Sequence, residues 1–386
     1  MYDVELLTEA KRRREEAIGH RRTLHALAET GFQLPKTMEY VKNYLQSQGV
    51  SPRSYGYCGV SADIRCLKED APFLLLRADA DALPIKEESE LPFASQNGNM
   101  HACGHDMHTA MLLSAVPLLL SRREALPCHV RLMFQGAEEI LGGAYRMLAE
   151  GVAQSVCAAY MIHVMTACPF STGTVLLPPA GEAAPAAAFF RIDIMGEGGH
   201  GALTHQGRDA LHTAVMSAAT LLSLQTSARF TLGTLESGRA ANVLPTSATL
   251  CGTVRAMSEE AVEETVAQLS AATKSIARIY GGSADLTVTA KCPPLRINSA
   301  LRESSQAFLA RLLGAENVIS TDSPSGASED FAFIAARCPA LTVALAAGKR
   351  EEGYAFPLHH PRARFDEEAL PYGAAVYTSL ALSHRL

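Results

Sequence analysis

The chain begins with a helical pattern and then alternates between short apolar runs and longer helical segments. Residues 4–49 favour two helices, with an interruption around Thr30–Pro35, where glycine and proline break the pattern. Four short apolar runs predict strands: 61–67, 73–79, 129–135 and 158–164. Two segments between them predict helices: 107–123 and 141–151. This alternation predicts an α/β domain with a mainly parallel central sheet, whose ligand site lies at the carboxyl ends of the strands.

A different order of elements is predicted in the middle of the chain. The alanine- and proline-rich segment 176–190 looks like a crossover between domains. After it the predicted order is β-α-β-β-α-β: strand 189–196, helix 210–227, strands 229–236 and 247–257, helix 258–282 and strand 284–290. We therefore expect a smaller α+β domain, residues 184–294, inserted in a larger domain that is formed by residues 1–183 and 295–386.

Composition excludes several classes of partner. The chain has 386 residues, 48% of them hydrophobic and 19% charged, which is typical of a soluble globular protein of about two domains. No apolar run is long enough to cross a membrane. The net charge of −6, with acids and bases interspersed, leaves no basic face for nucleic acid or anionic lipid. The first residues lack the basic-then-apolar order of a signal peptide, so we expect a cytoplasmic protein whose partners are small molecules or a second copy of itself.

The segment HACGHDMHTA, residues 101–110, concentrates one cysteine and three histidines in a glycine-containing loop before a predicted helix. Cys103 and His105 are two positions apart, so in extended backbone both side chains would point to the same side and could share an ion. His108 could instead face the sheet or the solvent. The nine cysteines are an odd number without any Cys-x-x-Cys pair, which argues against a disulfide framework and a zinc ribbon.

Other chemistry-bearing residues follow predicted strands. In GAEE, residues 136–139, Glu138 and Glu139 would point in opposite directions, so one carboxylate could bind a metal while the other acts as a general base; a charged helix start is the simpler alternative. His163 ends the run 158–164. His359 and His360 precede a final predicted helix. Asp79 and Asp81 have a spacing suited to orienting a ligand histidine, or to capping a turn.

These stretches, in this order, resemble the amidohydrolase branch of the aminoacylase and carboxypeptidase-G-like dinuclear metallopeptidases, which includes hippurate hydrolases and indole-acetyl-amino-acid hydrolases. The resemblance covers nearly the whole chain. Its remaining motifs are LHALAETGFQLPKT (24–37), GEGGHGALTH (196–205), ANVLP (241–245), GTVR (252–255), SEDFAF (328–333) and LHHPRARFDEEAL (358–370).

The resemblance implies a catalytic metal-binding domain that holds two divalent ions, with the inserted domain as lid and dimerisation domain. The implied ligands are Cys103, His105, Glu139, His163 and His359. Relatives usually read leucine, histidine, a small polar residue and proline where this chain reads LHHP, so His359 is taken as the ligand and His360 as the substituted position. The thiolate favours zinc, cobalt or nickel, while the remaining ligands also suit manganese.

The resemblance also implies roles in catalysis. Glu138 is the general base, Asp81 orients a ligand histidine, and His200 stabilises the oxyanion from the other subunit of a homodimer. Asn242 and Arg255 match positions that bind the carboxylate or oxyanion of the substrate. His101 and His108 support the loop.

The expected activity is therefore metal-dependent cleavage of the amide bond of an N-acyl amino acid. A dipeptidase or aminobenzoyl-glutamate-type carboxypeptidase keeps the same fold and metals. A third alternative makes Cys103 a nucleophile with a histidine base, which predicts inactivation by alkylation but no effect of chelators. A non-enzymatic metal-stabilised protein is disfavoured because Glu138 is present.

Overall fold

The N-terminal part of the chain alternates between helices and the strands of one large sheet. A computed structural model describes residues 2–385, with side chains from residue 5 onward. The helices of this part are α1 Tyr2–Arg12, α2 Arg14–Leu27, α3 Pro35–Ser47, α4 His105–Leu120 and α5 Gly143–Ala149. The strands are β1 Pro52–Tyr55, β2 Gly59–Ile64, β3 Phe73–Asp79, β4 His129–Gln135, β5 Val156–Met165 and β6 Val175–Leu177.

The middle and the end of the chain carry the other elements. A short strand, β7 Gly181–Ala184, precedes the middle segment. That segment contains β8 Ala186–Met195, β9 Gly199–His200, α6 Ala210–Ser223, β10 Arg229–Ser237, β11 Val243–Leu244, β12 Ser247–Ala256, α7 Glu259–Ile279 and β13 Ser283–Cys292. The last elements are β14 Leu295–Ile297, α8 Ser299–Leu313, β15 Val318–Ser320, α9 Ala332–Ala335, β16 Ala340–Ala346 and α10 Ala369–Ser383.

These elements form two compact units. The larger unit contains residues 1–183, 295–324 and 329–386, and the smaller one contains residues 184–294 together with 325–328. The short segment Ser325–Ser328 thus belongs with the middle of the chain, although it is far from it in sequence.

The larger unit is built on an eight-stranded sheet in the order β1-β2-β4-β3-β5-β16-β6-β15. Its four central strands, β4, β3, β5 and β16, are parallel to one another, whereas β2 and β6 join them in antiparallel orientation. Every residue of β3 after Phe73 is buried, as expected for a strand that is covered on both faces. The carboxyl ends of the central strands therefore meet at one edge of the sheet.

Helix α4 lies inside the larger unit. All of its residues from His105 to Leu119 are buried, and it packs against α2 and α10. A helix that is apolar on every side is stable only when neighbouring elements surround it. None of the helices in the described part of the chain combines the length and the apolarity needed to span a bilayer.

The smaller unit consists of a four-stranded antiparallel sheet, in the order β10-β12-β8-β13, covered by α6 and α7. Alternate residues of β8, including Phe190, Ile192 and Ile194, form its core. Helix α7 begins after Ser258, whose side chain accepts a hydrogen bond from the backbone N–H of Ala261. The elements occur in the β-α-β-β-α-β order expected from the sequence, with the two-residue strands β9 and β11 added.

Two segments differ from their expected local structure. The N-terminal region holds three helices rather than two, because the chain breaks at Arg13 as well as between α2 and α3. The segment 176–190 does lead from one unit to the other, but it contains most of β6, all of β7 and the start of β8. Alanine is a weak strand former, yet Ala186 and Ala188 are buried in the core of the smaller unit, so packing outweighs the local preference.

Candidate metal centre

Three adjacent strands of the large sheet bring polar side chains to the same edge. Strand β3 ends at Asp79, β4 ends at Gln135 just before Glu138 and Glu139, and β5 carries His163 near its end. Because β4, β3 and β5 are parallel neighbours, the segments that follow them converge. This edge is where the sequence predicts the ligand site.

A glycine in left-handed conformation separates Cys103 from His105. Gly104 has φ +83°, and His105 is the first residue of α4. A Cβ atom at position 104 would stand 2.4 Å from the Val164 Cγ2 atom, so both the backbone conformation and the space require glycine. The turn at Gly104 allows the side chains of Cys103 and His105 to approach the same group of donor atoms.

The five predicted metal ligands lie together in the larger unit. The Cys103 Sγ atom is 3.6 Å from His163 Nε2 and 3.3 Å from His359 Nε2. The Glu139 Oε1 atom is 3.4 Å from His359 Nε2 and 3.9 Å from His105 Nε2. The donor atoms fall into two groups that share the thiol: Cys103 with His105 and His163, and Cys103 with Glu139 and His359. Two groups of this kind suit two metal ions.

Two of these donor atoms are buried without a hydrogen bond. His105 Nε2 and Glu139 Oε1 are buried and have no hydrogen-bond partner among the described residues. A buried polar atom without a partner is costly, and a metal ion would satisfy both atoms. Thiolate, imidazole and carboxylate are also the donors that bind zinc and similar ions. The residues therefore fit a dinuclear centre.

The electrostatics of the centre favour an ionised thiol. Burial raises the pKa of the Cys103 thiol, but the imidazoles of His105 and His163 lower it more, to about 6. Burial lowers the pKa of His163, while the Cys103 thiolate raises it to about 9. The thiol can therefore ionise near neutral pH, which is the form that binds a metal.

His359 rather than its neighbour His360 faces these donors. His359 has φ +64°, an uncommon conformation for a residue with a side chain, and its imidazole reaches both Cys103 and Glu139. The His360 ring stacks on Phe356 instead, with ring centroids 4.4 Å apart. The geometry agrees with the choice of His359 from the LHHP motif.

Glu138 lies beside the donors and is buried. Its Oε1 atom accepts a 3.5 Å hydrogen bond from the backbone N–H of Asp330. Burial raises the pKa of Glu138 well above its usual value, and the neighbouring carboxylates of Glu329 and Glu139 raise it further. A carboxyl group in this environment retains a proton more readily than an exposed one.

Asp81 connects the two loops. Its backbone carbonyl accepts a 2.9 Å hydrogen bond from His105 Nδ1, which directs Nε2 toward the centre. Its carboxylate accepts the backbone N–H groups of Glu138 and Glu139, at 3.1 and 3.2 Å. Asp81 thus orients the histidine mainly through its carbonyl group, and it uses its carboxylate to hold the GAEE segment.

The other two histidines of the loop are buried outside the donor set. His108 faces the sheet: its Nδ1 atom contacts the Asp79 carboxylate, and its Nε2 atom accepts a 2.8 Å hydrogen bond from the backbone N–H of Val164. Burial lowers the pKa of His101 to about 4, so its ring is neutral. Both side chains are buried, and a supporting role for the loop remains a prediction.

Sequence reasoning missed a buried ion network beneath Glu138. The Arg77 guanidinium contacts Asp79 at 2.7 Å, Asp330 at 2.8 Å and Glu329 at 3.1 Å, and it is fully buried. The Gln135 side-chain amide donates to both carboxylate oxygens of Asp330. An arginine inside the apolar run FLLLRAD was the available signal, because a buried charge requires a partner.

The smaller unit carries the three remaining predicted residues. His200 and Val243 pair across β9 and β11, and the carbonyl of Asn242 accepts the backbone N–H of Gly201 at 2.8 Å, so His200 and Asn242 are neighbours. Both are exposed. Arg255 lies apart from them on β12, where its guanidinium donates to the Ser328 hydroxyl at 2.8 Å.

Comparison with known proteins gives consistent matches over almost the entire chain. An N-acetylcysteine deacetylase from Bacillus subtilis is 32% identical over 375 residues, covering 95% of this chain and 96% of the relative. The IAA-amino acid hydrolase ILR1-like 2 from Arabidopsis thaliana is 33% identical over 386 residues, covering 94% and 84%. A crystal structure described as a dinuclear metal-binding peptidase of the M20 family, from Bacillus subtilis, superposes with a TM-score of 0.76 at 30% identity, covering 96% and 98%.

A family profile agrees with these matches. Residues 75–383 match the description "Peptidase family M20/M25/M40", a range that includes all five predicted ligands and Glu138. The enzyme class of this chain is therefore a metal-dependent hydrolase, and the chain belongs to peptidase family M20/M25/M40.

Proposed function

We propose that this protein hydrolyses the amide bond of N-acyl amino acids, releasing a carboxylic acid and a free amino acid. The convergence of five metal-binding side chains beside the buried carboxyl group of Glu138 carries the proposal. A dinuclear centre with an adjacent general base is the arrangement that activates water for amide hydrolysis.

Two divalent ions would be held by Cys103, His105, Glu139, His163 and His359. Zinc, cobalt and nickel suit a thiolate ligand, and manganese suits the carboxylate and the histidines. When bound, the two ions supply Lewis-acid polarisation of the amide carbonyl and lower the pKa of the attacking water.

Glu138 handles the protons of the reaction. Its carboxylate accepts a proton from the water as the oxygen attacks the carbonyl carbon, and the acid form then donates that proton to the departing amine. The raised pKa of the buried group favours holding the proton between the two steps. Asp81 keeps Glu138 in place through the backbone N–H of that residue.

The substrate class follows from the relatives together with the polar residues of the smaller unit. The names of the two relatives describe a deacetylase of N-acetylcysteine and a hydrolase of IAA-amino acids. Each of these substrates carries an acyl group on an amino acid. We assign Arg255 to the free carboxylate of such a substrate, since an arginine fork matches a carboxylate in geometry and charge, and we assign Asn242, the neighbour of His200, to the oxyanion. We assign His200 to the oxyanion of the tetrahedral intermediate, acting from the second subunit of a homodimer.

Metal reconstitution with a substrate panel tests the proposal. The purified protein is stripped with a chelator and then given zinc, manganese, cobalt or nickel separately. Each form is assayed on N-acetyl, N-benzoyl and aryl-acetyl amino acids, on dipeptides and on aminobenzoyl-glutamate. We expect chelation to abolish hydrolysis and at least one metal to restore it on an N-acyl amino acid.

The other outcomes separate the alternatives. Restored cleavage confined to dipeptides or aminobenzoyl-glutamate would replace the proposed substrate class while keeping the metal centre. Hydrolysis that persists in the presence of the chelator and is lost on thiol alkylation would overturn the metal mechanism in favour of a Cys103 nucleophile.

A further inference from the structure

A second group of thiol and imidazole side chains lies at the opposite edge of the large sheet. Cys128 immediately precedes β4, Cys157 is the second residue of β5, and His384 follows the last residue of α10. The three ligand atoms all lie within 4.8 Å of one another. Cys157 is six residues before His163 on the same strand, which corresponds to about 20 Å at the rise of an extended strand. This cluster is therefore separate from the catalytic centre.

The spacing of the three ligand atoms suits one tetrahedral ion. With zinc–sulfur bonds of about 2.3 Å and zinc–nitrogen bonds of about 2.0–2.1 Å, tetrahedral ligands stand about 3.6 Å apart for sulfur and nitrogen, and about 3.8 Å apart for two sulfurs. The distance from Cys157 Sγ to His384 Nε2 is 3.7 Å. This distance is within about 0.1 Å of the tetrahedral spacing for sulfur and nitrogen.

A buried tyrosine holds the histidine in the orientation that coordination requires. The Tyr160 hydroxyl oxygen is 3.2 Å from His384 Nδ1, and it also interacts with the side chain of Ser305. When Nδ1–H donates to this oxygen, the lone pair of Nε2 points toward the two sulfurs. Metal-binding histidines nearly always donate their other ring N–H to such a partner.

The charge state of the thiols fits the same role. A hydrogen bond from the Cys128 thiol, together with the His384 imidazole, lowers the pKa of Cys157 to about 5, although burial opposes the shift. A bound cation would favour the thiolate forms of both Cys128 and Cys157.

The cluster is open on one side. Cys157 is half-buried and lines a surface cavity of about 510 Å³, whereas Cys128 and His384 are buried. Cys157 therefore connects the cluster to this cavity, through which a hydrated ion would reach it.

We propose that Cys128, Cys157 and His384 bind a divalent cation of the zinc class, with water as the fourth ligand. The ion ties the end of α10 to the amino edge of the sheet, where β4 and β5 begin. Because it would bind only the folded chain, it raises the free energy of unfolding as its concentration rises above its dissociation constant.

Zinc stoichiometry of matched variants tests this proposal. The stripped full-length protein, kept reduced, is equilibrated with zinc alone, and bound metal is counted by mass spectrometry. We expect Cys157→Ser and His384→Asn each to bind one zinc fewer per chain than the unaltered protein, and to lose part of the zinc-dependent rise in thermal midpoint. Cys251→Ser is the control, because Cys251 is also a half-buried free cysteine but lies on β12 of the smaller unit.

The readout does not depend on catalysis. Cys157→Ser should retain amide hydrolysis, so a zinc deficit with full activity locates the missing ion outside the catalytic centre. Equal zinc counts in the unaltered protein, Cys157→Ser and Cys251→Ser would overturn the proposal, whatever the substrate of the enzyme.

Discussion

Replacing Arg77 with methionine tests whether the buried ion network supports the candidate active site. The substitution keeps most of the side-chain volume but removes the positive charge that faces Asp79, Glu329 and Asp330. All four side chains lie inside the larger unit, and those of Arg77, Asp79 and Asp330 are completely inaccessible to solvent. Without the guanidinium, the three carboxyl groups retain only neutral or more distant partners.

Removing one partner of a buried ion pair typically costs about 3–5 kcal/mol, because the remaining charge stays buried without compensation. For a unit of this size, each kcal/mol lowers the thermal midpoint by about 2 °C. We therefore expect Arg77→Met to lower the thermal midpoint of the larger unit by about 6–10 °C. Changing Asp330 to asparagine in the same chain should recover part of this loss, because it removes one of the uncompensated carboxylates.

The loss should also depend on pH. Burial raises the pKa of Asp330 to about 7 even though Arg77 lowers it, so removing the guanidinium raises this pKa further. At pH values between the pKa of Asp330 in the unfolded chain and its pKa in the folded variant, the folded variant binds more protons than the unfolded chain. The stability of Arg77→Met should therefore fall as the pH rises from 6 to 8.

Thermal unfolding followed by circular dichroism measures the effect, with Arg22→Met as the control. Arg22 makes a comparable two-point contact with Glu367, at 3.1 and 2.7 Å, but half of its side chain is exposed. Exposed pairs contribute at most about 1 kcal/mol, so the control should shift the midpoint by about 2 °C or less. Equal shifts in the two variants would refute the reasoning that burial makes the Arg77 network essential.

Three further predictions concern the catalytic centre. Glu138→Gln should lower kcat by about 10²–10⁴-fold while the metal content, measured by mass spectrometry, stays unchanged; a loss of metal would make Glu138 a ligand instead of a base. Gly104→Ala should reduce metal content, because the left-handed conformation and the contact with Val164 both oppose a Cβ atom. The control is Gly98→Ala, which should keep its metal content, because Gly98 has φ +88° but open space around it. His200→Ala should lower turnover with full metal content, and subunits carrying it should regain activity when mixed with Glu138→Ala subunits; mixed dimers without activity would place His200 in its own subunit's site.

The buried strands were the part of the fold that the sequence predicted best. The runs 73–79 and 129–135 coincide with β3 and β4 residue for residue, because a mainly apolar run of seven residues has the length typical of a buried strand. The start of α7 at Ser258 was equally readable, since a serine before two glutamates is a local signal that needs no distant partner.

The beginning of α4 could not be read from periodicity. The segment HACGHD is polar, yet the helix starts at His105 rather than at 107 because Gly104 adopts a left-handed conformation and the loop is buried against Val164. The pairing of β6 with β16 and β15 was likewise hidden, because a three-residue strand has too few positions to show a pattern.

The proposed metal ligands were predicted from ordered motifs, whereas the network beneath them depends on contacts that no local pattern encodes. Gln135 and Asp330 are 195 residues apart in the chain and yet share two hydrogen bonds. The family resemblance includes the motif SEDFAF but assigns no role to its acidic residues. Only the folded structure brings Asp330 into contact with Arg77.

The position of Arg77 explains why a charge is tolerated inside a buried strand. Arg77 and Asp79 are two residues apart on β3, so their side chains lie on the same face of the strand and can pair directly. The same guanidinium reaches Asp330, whose backbone N–H donates to Glu138 and whose carboxylate accepts the backbone N–H of Ala144 at the start of α5. One buried cation thus links Asp79, which contacts His108, to the segment that carries Glu138, the proposed general base. A neutral residue at position 77 would leave those two segments without a common anchor, which is why Arg77 is expected to position the site without taking part in the reaction.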